Sequence, residues 1–177
     1  MKKVVYSAVL LAAVVVSCKK ETQVDKLPTI PAVSSNVEVT LDILVEEDDK
    51  FQLFYTEDGS IDFNGEKLVS ASVTGQDKSQ TVTFALPNDA KPNNLRLDLG
   101  ERADQEEMKL NSFTLKFNDK KFKISGQAFL EYFRTNGNLV VDAEKGLMKP
   151  TELSGAPYDP MFYPNQILTD TLTKIVK

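Results

Sequence analysis

The chain has no histidine and no tryptophan, a single cysteine among 177 residues, and eight scattered glycines. Each shortage closes off some chemistry. Without histidine there is no Ser-His-Asp or Cys-His nucleophilic site and no His-ligated zinc. A lone thiol leaves no internal disulfide, so the fold must rest on its apolar core. The glycines form neither GxxxxGK[ST] nor GxGxxG, which removes the phosphate-cradling loops. No apolar run reaches the ~20 residues of a membrane-spanning helix; the run Val4 to Val16 falls short. Acids outnumber bases 26 to 21, a formal charge of −5. With no basic tract along the sequence, nucleic acid is not an expected partner, because its binding depends on neutralised phosphates. Paired-carboxylate glycosidase chemistry is open to any acidic chain, but no two acids stand out, and the expectation is a non-catalytic protein with no cofactor.

What the chain does have begins at the N-terminus. Lys2 and Lys3 precede the apolar run, the order of a secretory signal. Val15-Val16-Ser17 then runs into Cys18. This resembles the lipobox of bacterial lipoproteins, and the resemblance implies lipid attachment at Cys18, cleavage after Ser17 and acylation (palmitate or a similar chain) of the new N-terminus. One acyl chain holds only reversibly, whereas several on one residue anchor stably. Residues 1–17 are thus read as signal peptide, 18–36 as lipid-anchored tether and 37–177 as one domain. Two prolines and no sustained period mark 19–36 as an extended spacer. Lys20-Glu21 loosely resembles the surface-export signal of Bacteroidetes lipoproteins. The expected address is the cell envelope, at the outer membrane, on its periplasmic side or at the cell surface.

From residue 37 the side chains alternate. Val37, Val39, Leu41, Ile43 and Val45 are apolar with Glu38, Thr40 and Asp42 between them, and six further segments repeat the pattern up to Phe122 and Ile124. Turn-like stretches such as EDGSIDFNGE and PNDAKPNN separate them. Period two with one apolar face suits antiparallel sheets, and two facing sheets would bury all the stripes. The predicted fold is all-β: an antiparallel, jelly-roll-like β-sandwich with one short helix, capped by Ser125 and running through GQAFLEYFRT. The segment ILTDTLTKIV near the end fits helix by its leucine spacing and strand by its threonines.

The motifs FQLFY (51–55), QTVTFALP (80–87), LRLDLG (95–100) and YDPMF (158–162) resemble the carbohydrate-binding-module-like jelly-roll domains that accompany bacterial polysaccharide glycosyltransferases. That resemblance implies a glycan-binding module for polysaccharide capture or assembly. The alternative is an adaptor lipoprotein docking another envelope protein. Tyr158, Phe162 and Tyr163, an aromatic cluster between prolines, are candidate stacking rings, or else a cover for an open end of the sandwich. Arg96 and Asp98 share the non-core face of one strand and are candidates for sugar hydroxyls, or else an ordinary ion pair. Glu46, Glu47, Asp48 and Asp49 offer the oxygen chemistry of calcium, as does the acidic stretch 57–66. The EF-hand template fails there, since aligning Ser60, Asp62, Asn64 and Gly65 puts Ala71 at the bidentate position. Solvated hairpin tips are the preferred reading of both.

Overall fold

The computed structural model describes residues 37–155 and 157–176. Cys18, the signal sequence and the tether lie outside them. The first strand sets the pattern: in β1 (Val37–Leu44) Val37, Val39, Leu41 and Ile43 are fully buried while Glu38, Thr40 and Asp42 face outward. Next come β2 (Asp49–Thr56), β3 (Leu68–Val73), β4 (Gln80–Ala85), β5 (Asn94–Leu99), β6 (Met108–Phe117) and β7 (Lys120–Ser125). β4 and β7 alternate in the same way, whereas in β2 and β5 outward residues such as Phe54 and Asp98 are covered too. Four short strands follow: β8 (Phe133–Thr135), β9 (Leu139–Asp142), β10 (Leu147–Pro150) and β11 (Met161–Pro164).

These strands form two antiparallel sheets. The first runs β4-β1-β6-β10-β9, with β7 also paired to β6; the second runs β3-β2-β5-β11-β8. The chain changes sheet between β1 and β2, between β3 and β4, and at each step from β4 to β6. The inner faces therefore come from strands distant in sequence, and a single core joins Leu41, Phe84 and Phe113 of one sheet to Phe51, Leu53 and Leu97 of the other. This is the expected β-sandwich. Phe129 stacks on Phe133 at 4.4 Å and meets Phe162 edge-on at 5.1 Å, while Phe133 meets Phe113 at 5.4 Å.

The helices differ from the pattern in the sequence. Ser125 does cap a turn, its Oγ accepting from the Ala128 N–H at 3.4 Å. A 3₁₀ turn over Gly126–Ala128 then leads into α1 (Phe129–Tyr132), which ends at once because Phe133 is extended and opens β8. Strand pairing wins over continued helix: Arg134 pairs with Tyr163 and Phe133 with Pro164. The ambiguous C-terminal segment is a second helix, α2 (Gln166–Ile175), with Leu168 and Leu172 buried. Its threonines are accommodated by bonding back along the helix, Thr171 Oγ1 to the Ile167 carbonyl at 2.7 Å and Thr173 Oγ1 to that of Thr169 at 3.0 Å. Asn165 ties the two helices together, its Nδ2 donating to the carbonyls of Leu130 and Phe133 at 3.2 and 3.3 Å.

Candidate functional site

The outward face of the second sheet gathers three of the residues singled out in the sequence. Period two places Arg96 and Asp98 on the same side of β5, away from the buried Leu95, Leu97 and Leu99. Across the ladder Phe54 of β2 lies opposite Arg96, and Met161 of β11 lies opposite Asp98. Tyr163, two residues on from Met161, falls beside Arg96, and Arg134 of β8 is its partner on the far side. One row of the sheet thus alternates ring and cation: Phe54, Arg96, Tyr163, Arg134.

Arg96 is enclosed by rings. Its guanidinium carbon is 4.0 Å from the centroid of Phe54, 5.6 Å from Phe63 and 5.8 Å from Tyr163. Arg134 stands 5.4 Å from the other side of Tyr163. Contacts of this kind draw a cation onto the ring face. Phe63 arrives from the loop between β2 and β3, which is pinned back by buried Asn94: its Nδ2 donates to the carbonyls of Gly59 and Ser60 at 3.2 and 2.8 Å. Thr56 Oγ1 adds a bond to the Ser60 carbonyl at 2.6 Å. Tyr163 is fixed by its hydroxyl, which donates to Met161 Sδ at 3.3 Å.

Beneath the rings Arg96 and Asp98 form a bidentate pair whose side chains are only 14% and 8% exposed. Burial pushes the Asp98 carboxyl upward from its ordinary value, and the Arg96 hydrogen bonds and charge offset that only in part; Asp159 adds to the rise. For Arg96 burial opposes the charge, but Asp98 outweighs it and the net shift is upward. Desolvation falls mainly on the carboxylate, the more deeply covered partner.

The other candidates lie elsewhere. Phe162 is fully buried against Phe129, so the expectation of an exposed stacking ring is corrected: in β11 alternation turns Phe162 inward and Tyr163 outward. Tyr158 is half-buried three residues ahead of β11, close enough to Asp49 to feel its charge, and its hydroxyl is buried without a hydrogen-bond partner among the described residues. Burial first, and Asp49 second, push that phenol up to about 12. In the acidic stretch 46–49, Asp49 Oδ1 accepts from the N–H groups of Lys50 and Glu101, both at 2.8 Å, and Oδ2 from Gln105 Nε2 at 3.1 Å. Asp48 Oδ1 accepts from the Gly75 N–H at 2.8 Å. These carboxylates tie loops together. Glu46 and Glu47 are exposed, and among the described residues no three acids converge as metal ligands.

Sequence reasoning passed over Phe54, Phe63 and Arg134. A signal for Phe54 existed: in FQLFY three apolar residues are adjacent, so one ring must point away from the core. Phe63 carried none, because only the folded loop delivers it. Among the described residues no helix is long and apolar enough to cross a membrane. No protein-family model matches the chain, and neither the curated proteins nor the solved structures compared with it give a match.

Proposed function

We propose that the chain is a lipid-anchored, non-catalytic envelope protein whose sandwich binds a glycan across the outer face of the second sheet. The observation that carries this reading is the Arg96–Asp98 pair framed by Phe54, Phe63 and Tyr163. Sugars are held by apolar ring faces together with a few fixed polar groups. Here the rings of Phe63 and Tyr163 remain partly open, and Arg134 is exposed beside them. The pair underneath holds its neighbours in place before any ligand arrives, which limits the entropy lost on binding. Asp98 engages Nε and Nη2 of Arg96, leaving Nη1 to meet a hydroxyl. The absence of histidine from the whole chain and the lipobox-like Cys18 support a binding role at the envelope over a catalytic one.

The full-length protein, purified in a mild non-ionic detergent, is to be screened on a glycan array. Tyr163→Ala and Phe63→Ala are expected to weaken the best binder by about tenfold, ~1.4 kcal/mol, without lowering the melting temperature. No binding to any glycan would overturn the proposal. One observation favours the adaptor alternative: β9 ends the first sheet and carries Val140 at 61% exposure. An open edge of this kind can accept a strand from another protein. Glycan-independent capture of one envelope protein, lost in Val140→Lys, would support that alternative.

A further inference from the structure

The first sheet forks at β6. Residues 112–117 pair with β7, whereas residues 108–109 pair with β10 on the same edge. Between the two partners a cleft of about 420 Å³ opens. Lys109, Asn111, Ser125, Gln127 and Lys145 line it, and among the described residues no carboxylate does. Its floor is close-packed backbone, since a Cβ at Gly126 would lie 1.7 Å from the Leu110 carbonyl oxygen. Asn111 and Gln127 are oriented by their own bonds, Asn111 Nδ2 to Ser79 Oγ at 2.7 Å and to Asp42 Oδ1 at 3.1 Å, and Gln127 Nε2 to the Glu144 carbonyl at 2.7 Å.

From Ser125 the same outer face continues along β7 to Lys123 and Lys121. Lys121 lies directly opposite Lys116, and Lys123 opposite Thr114. All three lysines are exposed. Like charges placed opposite one another destabilise a sheet. Compensation is partial: Glu38 flanks Lys116 across the other ladder, Asp42 accepts from Asn111 at 3.1 Å, Asp142 holds Lys145 at 2.8 Å, and Glu107 also acts on Lys145. Lys109, Lys121 and Lys123 have no ion-pair partner among the described residues. Of the five lysines in residues 109–127, Lys109, Lys116, Lys121 and Lys123 share this face, while Lys120 turns the other way and donates to the Lys174 and Ile175 carbonyls; the formal charge of the chain is −5. The fold has collected positive charge on one face of an acidic protein.

We propose that this fork binds an anionic glycan. A sugar residue bearing a carboxylate or sulfate seats between Lys109 and Lys145, and its chain runs on over Lys123, Lys121 and Lys116. The proposal takes its ligand class from the glycan-binding reading above but uses a different sheet. Three features favour an acidic sugar chain over other polyanions. The site is concave, with amides and a hydroxyl in its walls to meet sugar hydroxyls. Thr40, Thr83 and Thr114 pave the adjoining row, which lacks the apolar side chains that insert into a lipid surface. Every cation here is a lysine, a point charge, rather than the arginine fork that matches phosphate.

The test is affinity electrophoresis of the full-length protein in non-ionic detergent, through gels containing polygalacturonate, dextran sulfate or neutral dextran. One or both acidic polymers should retard it, and the carboxylate and sulfate arms tell the two anions apart. Raising salt from about 0.05 to about 0.3 M should weaken that binding by about tenfold, because exposed charges are screened. The double variant Lys109→Gln/Lys123→Gln should weaken it to a similar extent with its melting temperature unchanged. Should that variant be unstable, Lys109→Arg/Lys123→Arg should keep the binding. Tyr163→Ala should retain full retardation. No retardation at low salt, retardation that survives the glutamines, or tighter binding to DNA or to anionic vesicles than to either polymer would overturn the proposal. Neutral-glycan binding lost in Tyr163→Ala, with no retardation by acidic polymers, would remove the fork and spare the second-sheet reading. Lysine-dependent retardation without any Tyr163-dependent binding would do the reverse.

Discussion

Arg96 clamps Asp98 two positions further along its own strand, Nε 2.9 Å from Oδ1 and Nη2 2.7 Å from Oδ2. A strand of period two makes this possible, because residues i and i+2 share a face. With both side chains largely covered, removing one partner leaves the other charged and dry. Asp98→Ala should therefore cost about 3 kcal/mol, whereas replacing both with apolar groups should cost far less. Urea unfolding of Asp98→Ala and of Arg96→Met/Asp98→Leu checks this. A double variant as unstable as the single one would show that the pair itself stabilises the sheet.

Tyr158 supplies a titration that can be followed. Its buried hydroxyl has no partner among the described residues, so Tyr158→Phe should stabilise the protein by about 1 kcal/mol at neutral pH. In the folded protein the phenol titrates near pH 12, against an ordinary value of 10.0. Below pH 10 it is neutral in both states. Between pH 10 and about 12 the unfolded chain loses the proton first, so stability falls as pH rises through that window. The phenylalanine variant should lack this fall, and its advantage should widen in the same range. A less stable variant at neutral pH would mean that the hydroxyl is satisfied.

Much of the fold could be read in the sequence because seven segments carry a period-two stripe, broken only locally as at Leu53-Phe54-Tyr55, and alternation has one physical meaning when one face is buried. The Arg96–Asp98 pair was legible for the same reason. What failed were segments governed by distant partners. YDPMFYP has the composition of a loop, yet it pairs with β5 and β8, and pairing turns Phe162 inward. α1 stops early because β11 is available to Arg134, a fact carried by residues about thirty positions away. The lysine fork depends on where β6 changes partner, which no local pattern encodes.

Asp49 tests the acidic loops. Its carboxylate holds the N–H groups of Lys50 and Glu101 and the amide of Gln105. Asp49→Ala should cost about 2 kcal/mol, the range for hydrogen bonds to a charged group. Millimolar calcium should leave the wild-type melting temperature unmoved, since these oxygens already face donors. A rise of several degrees would reassign the stretch 46–49 to metal binding.

Gly126 and Gly65 make a contrasting pair. At Gly126 a Cβ would meet the Leu110 carbonyl oxygen at 1.7 Å, and neither backbone has room to yield. Gly126→Ala should cost about 3 kcal/mol by overpacking. At Gly65 the space is open, so Gly65→Ala should be neutral or slightly stabilising. Thermal melts of both variants decide the matter, and equal effects would contradict the close approach at the fork.

The anchor is tested at Cys18, which lies outside the described residues. On the lipoprotein reading, the apolar run that ends at Val16 is too short to remain as a membrane span, and stable attachment would depend on acyl chains carried by Cys18. Several chains on one residue hold a protein that a single chain would release. Cells given labelled palmitate should label the wild-type protein and not Cys18→Ser, which should accumulate as a longer, uncleaved precursor. On the tether reading of 19–36, added protease should cut at the base of the domain and release an intact, label-free sandwich. Equal labelling and processing of Cys18→Ser would dismiss the lipoprotein reading, and with it the envelope address on which the glycan proposals draw.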